Sequence, residues 1–333
     1  MRGAAFWHLL GYDHCYYDPS REIPDLTGKV AVVTGVSEET IGHYCVQLLS
    51  LHGCKVYAAS RNEQKTLHCL SVIEKAHPKL KGSGLLIFHH LDLSSCVLAK
   101  RSGEEFRKRE TRLDILVNNA GRLALHHSMT PEGIEESIAT NHVGMFVFTN
   151  EVLPVLKSTS KLPGSDVRVV IHTSLGHTFT VRHNFESPDD LNDLPTTNSF
   201  LGRSRRYGTS KFMNLLFTRE LQQRLDAEGY PMIVIALHPG VVQSSGAQAC
   251  NPWFVDLLFR LLGVGPYEGA FTTLFAATSA EVAARRDKYR GAYVLPYGRI
   301  AQPAPQAQDD ALAKTLWDTT ERVVADICAR AEG

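Results

Sequence analysis

Short apolar, β-branched runs alternate along most of this chain with stretches whose apolar residues recur every three or four positions. The run Lys29-Val30-Ala31-Val32-Val33-Thr34-Gly35 has no polar face and ends in a glycine, as a strand buried on both sides and meeting a turn requires. Ile41, Cys45, Leu48 and Leu49 then recur at i, i+4, i+7 and i+8, which predicts a helix burying one stripe. A strand Lys55–Ser60 follows Gly53 and closes one βαβ unit. The alternation predicts helices over Glu63–Ala76, Cys96–Lys108, Pro131–Leu156, Tyr207–Leu225 and near Glu268–Thr278. It predicts strands over Leu85–Leu91, Leu113–Val117, Val167–His172, Met232–Leu237 and Ala292–Leu295. Such alternation implies a parallel sheet covered on both faces. The expected class is α/β: a single doubly wound domain with a parallel sheet of about seven strands and ligands at their carboxyl ends.

Two segments break the rhythm. Residues 178–206 are polar and irregular, and a loop of that length in a compact domain suggests a functional role, here a substrate loop. Residues 251–264 are apolar nearly all round. A helix there, bounded at 246–266, is read as a lid over an apolar substrate, with a buried core element and a membrane-touching patch as alternatives. Residues 1–25 are read as an N-terminal extension to a domain over 26–330.

Composition narrows the partners. Lysine plus arginine equal aspartate plus glutamate at 35 each, so no basic footprint points to nucleic acid or an anionic membrane surface. Cys15, Cys45, Cys54, Cys69, Cys96, Cys250 and Cys328 are scattered without Cys-x-x-Cys or metal-ligand spacing, which implies free thiols, no zinc and a reducing compartment. The N-terminal apolar stretch is too short for a signal peptide, and no segment approaches the ~20 apolar residues of a membrane span. The expectation is a cytoplasmic protein without a metal, and the sequence is silent on its oligomeric state.

Candidate chemistry collects at the predicted strand ends. Thr34-Gly35-Val36-Ser37-Glu38-Glu39-Thr40-Ile41-Gly42 joins the first strand to the first helix, where glycines and a helix N-terminus can hold a pyrophosphate. Ser60-Arg61 ends the second strand where an acidic residue would bind a ribose 2′-hydroxyl, and a cation there suits a 2′-phosphate. Asp92 and Asn118-Asn119-Ala120-Gly121 follow two further strands, although Asp92 equally suits a helix cap. Tyr207 and Lys211, four apart, share a helix face. A neutral-pH acid or base made from tyrosine needs its pKa pulled down by roughly 3 units, and a neighbouring cation supplies part of that.

Taken together and in order, Thr34-Gly35 to Gly42, Asp92, Asn118-Asn119-Ala120-Gly121, Asn141, Ser174, Tyr207-x-x-x-Lys211 and Pro239-Gly240 resemble the short-chain dehydrogenase/reductase family from about Leu26 to Thr320. Ser174-Leu175-Gly176-His177, Asn214-Leu215-Leu216-Phe217-Thr218 and Ala236-Leu237-His238-Pro239-Gly240-Val241-Val242 are similar to its retinol-dehydrogenase-like branch. The resemblance implies a Rossmann-type domain and catalytic roles for Asn141, Ser174, Tyr207 and Lys211. Tyr207 would be the acid/base, Lys211 would lower its pKa and bind the nicotinamide ribose, and Ser174 would hold the substrate oxygen. Asn141 would organise a water linking Lys211 to solvent. It implies a cofactor, NADP(H), bound by Gly35, Thr40, Ile41, Gly42, Arg61, Asp92, Asn118, Ala120, Gly121, Tyr207, Lys211, Pro239, Gly240, Val242 and Ser244. Two features depart from the family pattern: Thr40 stands at the usual middle glycine in a turn one residue longer, and the interval from Ser174 to Tyr207 is extended. The expected activity is interconversion of an alcohol and a carbonyl on a lipophilic small molecule. The alternatives are a non-catalytic NADP(H)-binding regulatory protein and a lipid-surface protein using residues 251–264.

Overall fold

The structure, a computed structural model, describes residues 17–243 and 263–332. Eight strands form one sheet in the order β3-β2-β1-β4-β5-β6-β7-β8. They are β1 Val30–Thr34, β2 Lys55–Ser60, β3 Leu86–His90, β4 Ile115–Asn118, β5 Val167–His172, β6 Met232–Leu237, β7 Tyr293–Leu295 and β8 Arg299–Ala301. The first seven pair in parallel, as the sequence pattern implied, and β8 adds an antiparallel edge to β7.

The all-apolar strands are explained by a core on each side. Along β1, Val30 and Val32 face one cluster while Ala31 and Val33 face the other, the period-two alternation of a strand. Helices α1 (Ile41–Leu51), α2 (Glu63–Ala76) and α6 (Pro266–Thr278) cover the second face. The first face is covered by α3 (Cys96–Arg109), α4 (Gly144–Ser160), α5 (Phe200–Ala227) and α7 (Asp310–Glu332). Among the described residues no helix is long and apolar enough to cross a membrane.

The structure corrects three element boundaries. The helix expected over Pro131–Leu156 starts only at Glu136, because residues 130–134 close a turn (Gly133 N–H to Thr130 O, 2.9 Å) and Glu135 serves as the helix cap. The helix then widens into a π turn over Ala139–Val143 before α4. Gly144 lets α4 pack directly on backbone: a Cβ there would lie 2.1 Å from Leu93 O. Helix α5 begins at Phe200, capped by Ser199, so Tyr207 lies two turns inside it rather than at its head and the irregular insertion is correspondingly shorter. Of the lid expected over 246–266, residues 246–262 lie outside the described residues, whereas Val264 bridges to Val242 and Pro266 already begins α6.

Asp114 aligns three strands at their amino ends. Its carboxylate accepts from Val30 N–H (3.0 Å) and from the Arg112 fork (2.8 and 2.9 Å), while its backbone pairs with Val30 and Arg168. Removing a buried acceptor of charge-assisted bonds costs about 2 kcal/mol. Asp114→Ala is therefore expected to lower the unfolding free energy by that amount, seen as a lower urea midpoint with an unaltered slope, and an unchanged midpoint would contradict this role.

Candidate active site

The carboxyl end of β5 and the third and fourth turns of α5 are bonded to each other. Thr173 Oγ1 donates to Lys211 O at 2.7 Å, and His172 O accepts from Lys211 Nζ at 3.1 Å and from Asn214 Nδ2 at 3.2 Å. Ser174, next along the chain, adjoins Tyr207, whose pKa it lowers, and accepts from Gly176 N–H at 3.0 Å. Lys211 Nζ stands 5.6 Å from the centre of the Tyr207 ring, so the i, i+4 spacing has brought the two groups together.

His177 fixes the Ser174 turn from outside. Ala304 N–H donates to its Nε2 at 3.1 Å, so Nδ1 carries the ring proton and donates to Ser174 O at 2.6 Å. Burial holds His177 below the usual imidazole range, which keeps this neutral tautomer.

Asn141 lies in the π turn, fully buried. Its Oδ1 accepts from Arg122 N–H at 2.6 Å, and its Nδ2 donates to Arg122 O at 2.8 Å and to Ser210 Oγ at 2.9 Å. Ser210 Oγ in turn donates to Tyr207 O at 2.7 Å. The wider turn presents this side chain across the helix axis to α5, a use to which π turns are often put.

The electrostatics differ from the simple expectation that Lys211 pulls Tyr207 down. Burial raises the Tyr207 pKa, and Ser174 lowers it by less. Burial also brings the Lys211 ammonium down to about 8, with a carbonyl as its acceptor and no carboxylate within ion-pair distance among the described residues. Desolvation thus outweighs the mutual attraction and favours the neutral form of each group.

The glycine turn is built by close backbone approach. Gly35 sits at φ +74°, and a Cβ there would lie 2.7 Å from Ala120 Cα; one on Gly42 would lie 2.6 Å from Gly35 O. Thr40, at the usual middle glycine, is extended and serves as the α1 cap, accepting from His43 N–H at 3.3 Å and donating to Ser37 O at 2.7 Å. The extra residue is absorbed at Glu39, left-handed at φ 54°, whose N–H donates to His43 Nδ1 at 3.1 Å. Ile41 opens the helix with its side chain near Val242, both facing Gly269.

The remaining candidates divide. Arg61 is exposed directly after β2 and pairs with no carboxylate among the described residues. Asp92 accepts from Ser94 N–H at 2.9 Å and Ser94 Oγ at 2.6 Å; the α3 cap is Ser95. Asn118 turns into the core to donate to Thr149 Oγ1 at 2.9 Å. Ala120 and Gly121 do reach the cleft: Ala120 N–H donates to Thr34 Oγ1 at 2.9 Å, and a Cβ on Gly121 would lie 3.1 Å from Lys211 Nζ. Pro239 and Gly240 follow β6, and Ser244 lies outside the described residues. Sequence reasoning passed over Asn119, whose Nδ2 donates to Thr34 O at 2.8 Å and Gly35 O at 3.1 Å and ties β4 to the glycine turn. Its place inside the Asn-Asn-Ala-Gly run was the available signal. No group of three or more His, Cys, Asp or Glu among the described residues is arranged to hold a metal ion.

A family model described as short chain dehydrogenase matches residues 29–176. The chain is 38% identical to the short chain dehydrogenase/reductase dpchH of Colletotrichum higginsianum, over 95% of this chain and 79% of that one. It is 32% identical to human retinol dehydrogenase 14, over 89% of this chain and 86% of that one. In fold it is similar to a short chain dehydrogenase of Shigella flexneri solved in complex with NADP, with a TM-score of 0.55 and 19% identity over 81% of this chain and 98% of that one.

The buried ammonium has a stability consequence with a definite sign. Because the folded pKa of Lys211 lies near 8, below its unfolded value, folding penalises the charged form. The penalty is complete below the folded value and is relieved as pH rises through the unfolded value of ~10.4. Lys211→Met is expected to be more stable than the parent by ~3 kcal/mol at pH 7, the advantage shrinking towards pH ~10.5. Urea unfolding of both proteins across that range measures it, and a difference independent of pH would contradict the assignment.

Proposed function

The chain belongs to the short-chain dehydrogenase/reductase family of oxidoreductases, in its retinol-dehydrogenase-like branch, and on that premise we propose that it interconverts an alcohol and a carbonyl on a lipophilic small molecule using NADP(H). The observation that carries the reading is the convergence of Tyr207, Lys211 and Ser174 at the carboxyl end of β5, with Asn141 joined to them through Ser210.

The nicotinamide group supplies or accepts hydride when bound. A Cβ on Gly121 would take up the space beside Lys211 Nζ and Asn141 Oδ1, so the glycine leaves room there for a ribose, and Lys211 would hold its hydroxyls. The glycine turn and the α1 N-terminus would hold the phosphates, with Asn119 keeping the turn against Ala120. Arg61 supports NADP(H) over NAD(H), since the end of β2 carries a cation and no acid. Glu38, one of the two glutamates in the turn, lies 3.1 Å from His68 Nε2.

In the reducing direction, Ser174 Oγ donates to the carbonyl oxygen of the substrate and the Tyr207 phenol delivers the proton. The adjacent ammonium stabilises the phenolate that remains. Burial keeps the phenol protonated and leaves Lys211 largely charged at pH 7, the pair of states that reduction starts from. The amide of Asn141, fixed by Arg122 and Ser210, stands where it can steady a proton path to Lys211.

The surroundings support an apolar substrate. Leu175, Phe179, Val181, Phe200 and Leu201 are exposed on the segments flanking Ser174 and leading into Tyr207. A cavity of about 440 Å³ beside the Ser174 turn has a mixed lining, with Leu175, Tyr293, Leu295 and Ala301 next to Thr178, Arg299 and Gln302, and does not reach Ser174 or Tyr207. Buried free thiols at Cys45, Cys54, Cys69 and Cys96 support a reducing compartment, the cytoplasm.

The reading is tested by following NADPH consumption against apolar aldehydes, ketones and quinones. Tyr207→Phe is expected to lower kcat by about 10²- to 10⁴-fold with NADPH affinity within about twofold of the parent, since only the transferable proton is lost. Comparable turnover would remove Tyr207 from the chemistry. The second test concerns Arg61, where charge-assisted bonds to a 2′-phosphate contribute roughly 1.5–3 kcal/mol, or a preference for NADPH over NADH of about 10- to 150-fold. Arg61→Ala should erase most of that ratio in titration calorimetry, and equal affinities in the parent would refute the NADP assignment.

A further inference from the structure

Arg206 directly precedes Tyr207 on α5, and its side chain is wholly buried. Nη1 donates to Pro195 O and Thr197 O, both at 2.8 Å, while Nε lies 3.4 Å from Oε1 of the wholly buried Glu135, a charge contact without a hydrogen bond. Glu135 accepts from Ser137 N–H at 2.8 Å and Ile138 N–H at 3.1 Å, so the same carboxylate starts the helix that leads into the π turn of Asn141. Its own N–H donates to Asn192 Oδ1 at 3.0 Å, and Asn192 Nδ2 donates to Gly133 O at 2.9 Å. One buried ion pair therefore joins three segments: the insertion at 192–197, the approach to Asn141 and the helix of Tyr207.

Stability alone gives little reason for such a pair, because well-packed neutral residues of similar volume generally hold a fold as well or better. Desolvation works on both partners, holding the Arg206 guanidinium below and the Glu135 carboxyl above their usual ranges against their mutual attraction. What the buried guanidinium supplies is orientation, through its bonds to Pro195 O and Thr197 O and its charge contact with Glu135. Consecutive residues on a helix point about 100° apart, so with Arg206 held by these partners the phenol of Tyr207 is kept towards Ser174. A helix rotation of ~10° moves a side-chain tip on the order of 1 Å, and misplacements of that size cost about 10²-fold in rate.

We propose that Arg206 and Glu135 are positioning residues, which set the rotation of α5 so that Tyr207 meets Ser174 and Asn141 and which clamp the 192–197 insertion to the same end of the site. The role rests on the reading of Tyr207 as acid/base. It also gives the extended interval before Tyr207 a use, since Pro195 and Thr197 supply the two carbonyls to which the guanidinium donates.

The test uses Arg206→Met/Glu135→Gln, which removes both charges, and Arg206→Lys, which keeps the charge and loses the fork. Decanal reduction by NADPH is followed in each. The double variant is expected to lose about tenfold or more in kcat with its NADPH dissociation constant within about twofold of the parent, and the lysine variant to recover part of the rate. Lost contact with Ser174 should also move the high-pH limb of kcat upward. A kcat within twofold of the parent in folded variants, or equal losses of kcat and NADPH affinity, would overturn the proposal. If the parent reduces no apolar aldehyde, ketone or quinone, or Tyr207→Phe reduces them equally well, the acid/base reading fails separately. The pair is then judged on the Tyr207 phenol titration, taken as the difference between proteins with and without Tyr207→Phe: a rise in the double variant supports positioning, and no change overturns it.

Discussion

A buried ammonium group with no carboxylate partner among the described residues is the constraint around which this molecule is arranged. Lys211 Nζ is held by the carbonyl of His172 and stands over the Tyr207 ring. Its pKa near 8 measures how strongly the surroundings resist the charge. A lysine in such a place folds only if neighbouring elements leave it nowhere else to go. The end of β5 meets that condition by binding α5 through His172, Thr173 and Ser174 in succession. The side chain of His172 is in turn held by Thr273 on α6, from the opposite face of the sheet. Both layers of the fold thus converge on one position of one strand.

The two ends of the cleft use different physics. At the glycine turn, affinity for a nucleotide would come from backbone proximity, with Asn119 and Thr40 fixing the path and few charges involved. At the Tyr207 end it is side-chain hydrogen bonds that fix geometry, from Ser210 through Asn141 to Arg122 and from Ser174 through His177 to Ala304. The glycine turn tolerates the extra residue because Glu39 takes a left-handed conformation away from the strand end. The Tyr207 end has less slack, which is why a fully buried ion pair beside Tyr207 carries weight there.

Much of this architecture is legible in the sequence. Seven parallel strands follow from uniformly apolar runs, and the order of Gly35, Asn118, Ser174, Tyr207 and Pro239 along the chain carries the family. Elements with charges turned inward are harder to read. The first two turns of α5 hold Gly202, Arg203, Arg205 and Arg206, which read as loop until Arg206 is seen buried against Glu135. The π turn at Asn141 leaves no mark in hydropathy, because apolar spacing is blind to one extra residue in a turn. The C-terminal helix α7 was missed although Leu312, Leu316, Trp317, Val323 and Ile327 are spaced to bury one stripe, and the same residues join the core over α5. The Lys211–Tyr207 neighbourhood is legible from spacing, but the direction of the phenol's shift is not, since burial depends on the whole fold.

The central claim is that this buried site directs hydride between a nicotinamide and an apolar carbonyl. The most direct measurement offers the protein NADPH carrying deuterium on either face of C4 with an apolar aldehyde, and reads the alcohol by mass spectrometry. The account predicts deuterium at the carbinol carbon from one face and none from the other. Alcohol formed without label from either face, or no alcohol across apolar aldehydes, ketones and quinones, would contradict it.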